Sequence, residues 1–107
     1  MIGPVALAAL FMDRLLSGGL LRNDLLATMV DVLRLPGAPP GPVWESVGYG
    51  LGIVVGPGNA GFEVTGHNGG GPGSCIAVYR SRGRTVAAFA CDADLSTVEQ
   101  NCVAMLM

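Results

Sequence analysis

The 107 residues carry six arginines, no lysine and eight acidic side chains, a net charge of −2, and half of them are apolar. This is the composition of a single greasy globular unit, long enough for a modest core and too hydrophobic for disorder. It lacks the basic footprint that nucleic acid requires. The apolar run from Val5 to Met12, cut by Asp13 and Arg14, is too short for a membrane span and reads as no targeting signal.

Pro4 suits a first helical turn, Leu7, Leu10, Phe11 and Leu15 recur at helical spacing, and Gly18 and Gly19 supply a stop, which predicts a helix over about 4–17. Asn23 can cap a second helix, whose apolar stripe Leu26, Met29, Val30 and Leu33 ends before Pro36. Residues 1–35 are thus expected to form a helical hairpin. Residues 36–42, "PGAPPGP", read as a stiff connector.

Beyond it the period switches to β-prone runs at 49–55, 62–67, 75–80 and 84–91, separated by glycine-bearing turns. They predict an antiparallel meander of about four strands. The last two are apolar at nearly every position, so helices should cover both faces there. Ser96 and Glu99 match the capping-box spacing, and Val98, Cys102, Val103 and Leu106 give the terminal helix an apolar face. The fold class is α+β, one domain with its sheet lobe over 43–107.

Gly56, Gly58 and Gly61 satisfy GxGxxG, but a β-like run follows where a dinucleotide site needs a helix, so they read as a hairpin loop. A nucleotide or phosphate binder would need that helix after Gly61. Without lysine there is no P-loop. Cys75, Cys91 and Cys102, an odd set without CxxC spacing, read as small buried hydrophobes rather than a disulfide framework or zinc site. They leave the compartment open. His67, the one histidine, has no convergent ligand spacing, so neither metal nor cofactor is expected. It does precede Gly69, Gly70 and Gly71, whose bare N–H groups could face an oxyanion. A plain glycine-rich turn accounts for the same residues.

The order of motifs is more specific. A two-helix segment ending in "SGGLL", then "GYGLGIVV", then "GHNGGGPGS", an apolar strand pair and a terminal helix together resemble the C-terminal part of the serine β-lactamase-like family. That family includes class C β-lactamases, D-alanyl-D-alanine carboxypeptidases and related esterases. The resemblance spans nearly the whole chain, most specifically 48–91, and implies a partial β-lactamase/transpeptidase-like fold. Residues 1–35 would come from the end of its helical lobe. His67-Asn68-Gly69 looks like the family's HxG or KTG triplet, which implies acyl transfer on an amide or ester. His67 would relay a proton or bear charge near the leaving group, Asn68 would stand in the substrate site, Gly69 would admit substrate to the strand, and the Gly70 N–H would be one of two oxyanion donors.

The chain also departs from that pattern. No lysine means no Ser-x-x-Lys, neither Tyr49-Gly50-Leu51 nor Tyr79-Arg80-Ser81 is Tyr-x-Asn, and Asn68 replaces the commoner Thr or Ser. The resemblance therefore implies a C-terminal fragment, inactive alone, whose partner is the missing N-terminal part of the enzyme. It implies too that the strand at 84–91 lacks its outer neighbour, which predicts a homodimer through that edge. The rival reading is a non-enzymatic interaction module that binds a partner by a sheet edge or the glycine loop.

Overall fold

A computed structural model describes residues 4–34 and 43–107; the connector expected at 36–42 lies outside them. In chain order the elements are α1 (Val5–Leu16), α2 (Asn23–Val30), β1 (Leu33–Arg34), β2 (Gly48–Tyr49), β3 (Val54–Pro57), β4 (Glu63–Gly71), β5 (Ser74–Ser81), β6 (Arg84–Cys91) and α3 (Leu95–Leu106). The six strands form one antiparallel sheet in sequence order. The α+β class is as expected.

The strand count differs from four for local reasons. The run at 49–55 is broken where Gly50 N–H donates to Ile53 O at 2.8 Å and Gly52 takes φ +74°, so β2 and β3 are separate short strands. Leu51 N–H meanwhile donates to Met29 O at the end of α2. The second helix stops at Val30 because Asp31 is extended, and Leu33, expected on the helical stripe, pairs with Tyr49 instead. Asn23 is the first helical residue rather than the cap, and no side chain caps that end.

The sheet is a middle layer. On one face α3 packs Val98, Cys102, Val103 and Leu106 against Val54, Val64, Ala77, Tyr79 and Trp44, and Trp44 meets Tyr79 edge to face at 5.5 Å. On the other, Met12 and Leu15 of α1 lie on Ile53, Val55 and Val78. Coverage of both faces follows directly from the apolar runs in β5 and β6.

The start of α3 corrects the predicted capping box. Asp94 is the N-cap and accepts from Thr97 N–H at 2.7 Å, a bond that lowers its carboxyl below the usual range. Ser96 accepts from Gln100, and Glu99 turns into the core. Gly58 and Gly61 do sit in a hairpin loop, closed by Gly58 N–H to Phe62 O at 2.9 Å. Of the three free cysteines, Cys75 and Cys102 are buried, but Cys91 at the outer end of β6 is exposed; burial pushes the Cys102 thiol up to about 11.

Two consequences can be measured. Leu106 is fully enclosed, so Leu106→Ala should lower unfolding free energy by about 2–5 kcal/mol in urea titrations. Asp13 accepts from Thr85 Oγ1 at 2.8 Å and from Arg80 Nε at 3.4 Å, and these bonds lower its pKa. Its stabilising share is therefore present above the ordinary carboxylate range and is lost as pH falls through the lowered value. Asp13→Asn should reduce the acid-induced drop in melting temperature, with little change in its slope at neutral pH.

Candidate active-site strand

The pattern of residues predicts a strand ending near His67; the structure carries β4 through Gly71. The reason is the neighbouring strand, since Gly69, Gly70 and Gly71 pair with Ile76, Cys75 and Ser74 of β5, supplying ladder bonds that glycine's low strand propensity does not disclose. His67 thus sits mid-strand, exposed, opposite Val78 on the α1 face.

Alternation sends Asn68 the other way. Its Nδ2 donates to Tyr79 Oη at 3.1 Å and to Glu99 Oε1 at 2.5 Å, and Tyr79 Oη donates to the same Glu99 oxygen. Burial first, and the bond to Glu99 second, push the Tyr79 phenol far above its ordinary value. The Asn68 side chain therefore faces the core beneath α3, away from His67. Its backbone does not.

The turns decide where that backbone points. β4 and β5 are joined by the two residues Pro72 and Gly73, and in such a hairpin the closing pair, here Gly71 and Ser74, exchanges both hydrogen bonds. Counting back by twos, residues 71, 69, 67 and 65 bond β5, while Asn68 and Gly70 direct their N–H and C=O groups to the opposite edge. The Gly58–Phe62 bond at the other hairpin gives the same phase. On that edge β3 pairs no farther than Val54 with Gly66. Beyond Gly66 the Asn68 and Gly70 backbone groups have no backbone partner among the described residues.

The glycines of this strand serve different needs. At Gly66 a Cβ would lie 2.0 Å from Val78 O and 2.7 Å from Tyr79 Cδ1, so packing demands glycine. At Gly69 and Gly70 the nearest atoms would be 3.8 and 3.5 Å away, and at Gly71 there is nothing within 4 Å; none of the three has positive φ. Three successive strand glycines cost stability without serving the fold. They line a shallow hollow of about 190 Å³ with Ile76 and Phe89 on its flank. A larger cavity of about 550 Å³, between the helices and the sheet, reaches Glu63, Thr65 and Arg80 but not His67. No cluster of His, Cys, Asp or Glu fit for a metal occurs among the described residues, nor does a helix long and apolar enough to cross a membrane.

Tyr79 and Glu99 are the neighbours that sequence reasoning missed. A signal for Glu99 existed: it falls on the helical stripe of Leu95, Val98, Cys102, Val103 and Leu106, so a helix that docks by that stripe must bring its carboxyl inward.

No family model matches the chain, and no curated protein matches it. Among solved structures it is similar to a D-stereospecific amidohydrolase from Streptomyces sp., with 32% identity and a TM-score of 0.68 over 87% of this chain and 26% of that one. The chain spans about a quarter of that structure's length. The likeness supports a partial β-lactamase-like fold and an origin in the serine-hydrolase superfamily with the β-lactamase/transpeptidase fold, and no narrower group.

The two kinds of glycine are separable. Gly66→Ala should cost about 3 kcal/mol, the upper end of ordinary overpacking, whereas Gly71→Ala should leave stability unchanged or raise it by about 0.5–1 kcal/mol, both read from urea midpoints. Equal losses at the two positions would show that the glycine run is a folding requirement.

Proposed function

We propose that this chain is the cleft-strand portion of a β-lactamase-like serine hydrolase acting on amide or ester substrates. The observation that carries the reading is a glycine run that the fold does not need, on an unpaired strand edge beside the one histidine. Substrate lies along the free edge of β4, admitted by Gly69. The Gly70 N–H is one donor to the oxyanion of the tetrahedral intermediate, and Asn68 contributes its backbone groups to the same edge. His67, on the α1 face, holds or relays the leaving-group proton. The amide chemistry named for the Streptomyces structure agrees with such a substrate. With no lysine in the sequence, the nucleophile and its base belong to the missing N-terminal part of the enzyme, and the chain alone is inactive.

A second reading, an interaction module, is favoured by the other edge of the sheet. β6 pairs only with β5 among the described residues. The β5–β6 hairpin also has a two-residue turn, Arg82 and Gly83, so Arg84, Val86, Ala88 and Ala90 bond β5, and the backbone groups of Thr85, Ala87, Phe89 and Cys91 face outward. Outward groups can bond only outward groups, so in an antiparallel homodimer odd-numbered residues pair with odd. A two-fold axis through Ala88 satisfies this and sets Arg84 opposite Asp92 of the partner subunit, matching charge with charge.

Each reading has its measurement. Alone, the chain should not hydrolyse nitrophenyl esters or a chromogenic cephalosporin above background. Co-expressed with a segment that supplies Ser-x-x-Lys it should turn over, and His67→Ala should then cost about 10²–10⁴-fold in kcat. Turnover by the chain alone that disappears in His67→Ala would overturn its incompleteness. For the dimer, light scattering should give twice the chain mass, and Ala87→Pro, which removes an outward N–H while sparing the ladder to β5, should yield monomer. A monomer at millimolar concentration, or a dimer indifferent to that change, would sink the paired-edge reading.

A further inference from the structure

We propose that Glu99 is a positioning residue for the candidate cleft strand: the turn sets which way β4 faces, and Glu99, through Asn68, restrains the glycine backbone in that orientation so that the Gly70 N–H is held still on the open edge. The inference rests on the hydrolase reading for its purpose, though not for its geometry.

The first ground is the cost of the side chain. Glu99 is only 4% exposed, on a helix whose other inward residues are apolar. Neither of its hydrogen-bond partners is basic. The arginines that do reach α3 bond its far end, Arg82 donating to Leu106 O at 2.7 Å and Arg84 to Met105 O at 3.2 Å. A packed apolar cluster in place of Glu99 and both its partners would commonly be neutral or stabilising, so burial by itself does not call for a polar cluster here. With Tyr79 and Asn68 in place, the carboxyl is the acceptor that keeps the enclosed Tyr79 hydroxyl satisfied.

The second ground is what the carboxyl holds. Past Gly66 the strand has lost β3, and Gly69, Gly70 and Gly71 have no side chains to anchor. His67 is exposed. The Asn68 amide is therefore the last side-chain anchor of β4 before the Pro72–Gly73 turn. It is a closed arrangement: each Asn68 Nδ2 hydrogen has an acceptor, one the Tyr79 hydroxyl and one Glu99 Oε1, while the Tyr79 hydroxyl gives its own hydrogen to Glu99. No buried side-chain nitrogen or oxygen is left unpartnered among the described residues. A serine or threonine at 68 has one hydrogen and could not serve both acceptors. Removing the carboxyl leaves Asn68 free to swing, and the bare glycine backbone follows it.

Order at the glycines is therefore the deciding readout. Glu99→Leu strands the Tyr79 hydroxyl and should lower the urea midpoint, and backbone order parameters at Gly69, Gly70 and Gly71 should fall from the rigid value near 0.85 to below about 0.6 by 15N relaxation under conditions where the variant is folded. Asn68→Ala should give the same loss, and the double variant no more than either, since both act through one contact. Glu99→Gln, which keeps an acceptor for Asn68, should restore much of the order. Unchanged glycine order in Glu99→Leu, whatever its midpoint, would make Glu99 a folding residue only and overturn the proposal. Should Glu99→Leu fail to fold, Asn68→Ala decides alone, because the route passes through Asn68; unchanged order there is equally fatal. No substrate enters these measurements, so they stand or fall apart from the hydrolase reading, which fails instead if reconstituted turnover is indifferent to His67.

Discussion

Two turns of two residues each, Pro72–Gly73 and Arg82–Gly83, set the hydrogen-bond phase of β4, β5 and β6, and the candidate chemistry depends on that phase. Arg82 and Gly83 both have positive φ, the pattern that lets a short hairpin follow the twist of its strands, and Gly73 supplies the positive φ that a Pro-Gly turn needs at its second residue. Because the side-chain period of a strand is two, one inserted residue in the first turn would exchange the two faces and the two edges of β4 relative to β5. His67 would then point under α3, and the Gly70 N–H would be spent on the ladder. The position of the imidazole and the direction of the donor are thus a single choice, made by the turn.

The same sheet sorts its glycines by what lies above them. Gly66 is pressed so close to Val78 and Tyr79 that no side chain fits, and this close approach sets β4 down on the Tyr79 ring, where Asn68 can reach both Tyr79 and Glu99. The three glycines that follow are open. A strand that is tightly held at one point and bare immediately afterwards presents backbone in a fixed place, which is what preorganised hydrogen-bond donors require. The burial of Glu99 and the bareness of Gly69–Gly71 are two halves of one arrangement, the first compensating the loss of anchorage caused by the second.

Much of this was legible in the residues. The apolar runs at 75–80 and 84–91 located β5 and β6 and required cover on both faces, which α1 and α3 provide. His67 and the glycine run marked the strand of interest. Wherever pairing overrode local preference, sequence alone misled: β4 continues through glycines because β5 holds them, and Leu33 leaves its helical stripe to bond Tyr49. Glu99 is the most instructive residue, since its spacing from Ser96 fits a local cap while its place on the apolar stripe of α3 fits burial. Both rules applied to it, and docking of the helix decided between them because Asp94 was available to cap instead. The reversal of Asn68 has the same origin: adjacent residues of a triplet lie on opposite faces once the triplet is a strand.

The two open edges of the sheet are separated by β5, which keeps their uses independent. Strands lie about 4.8 Å apart, so a chain added to β6 stands about 15 Å, three strand spacings, from the candidate cleft strand and does not cross the Asn68–Gly70 edge. A second copy on β6 would also extend the sheet under α1, whose Leu7, Leu10 and Phe11 are half exposed, and so would cover apolar surface that the described chain leaves wet. Any other strand of suitable pattern could use that surface equally well, since an edge strand selects a partner by ladder and pattern rather than by origin. What does not interchange is the edge of β4: its outward donors come from backbone beside His67, and filling it with a permanent strand would consume the groups that the glycine run exposes.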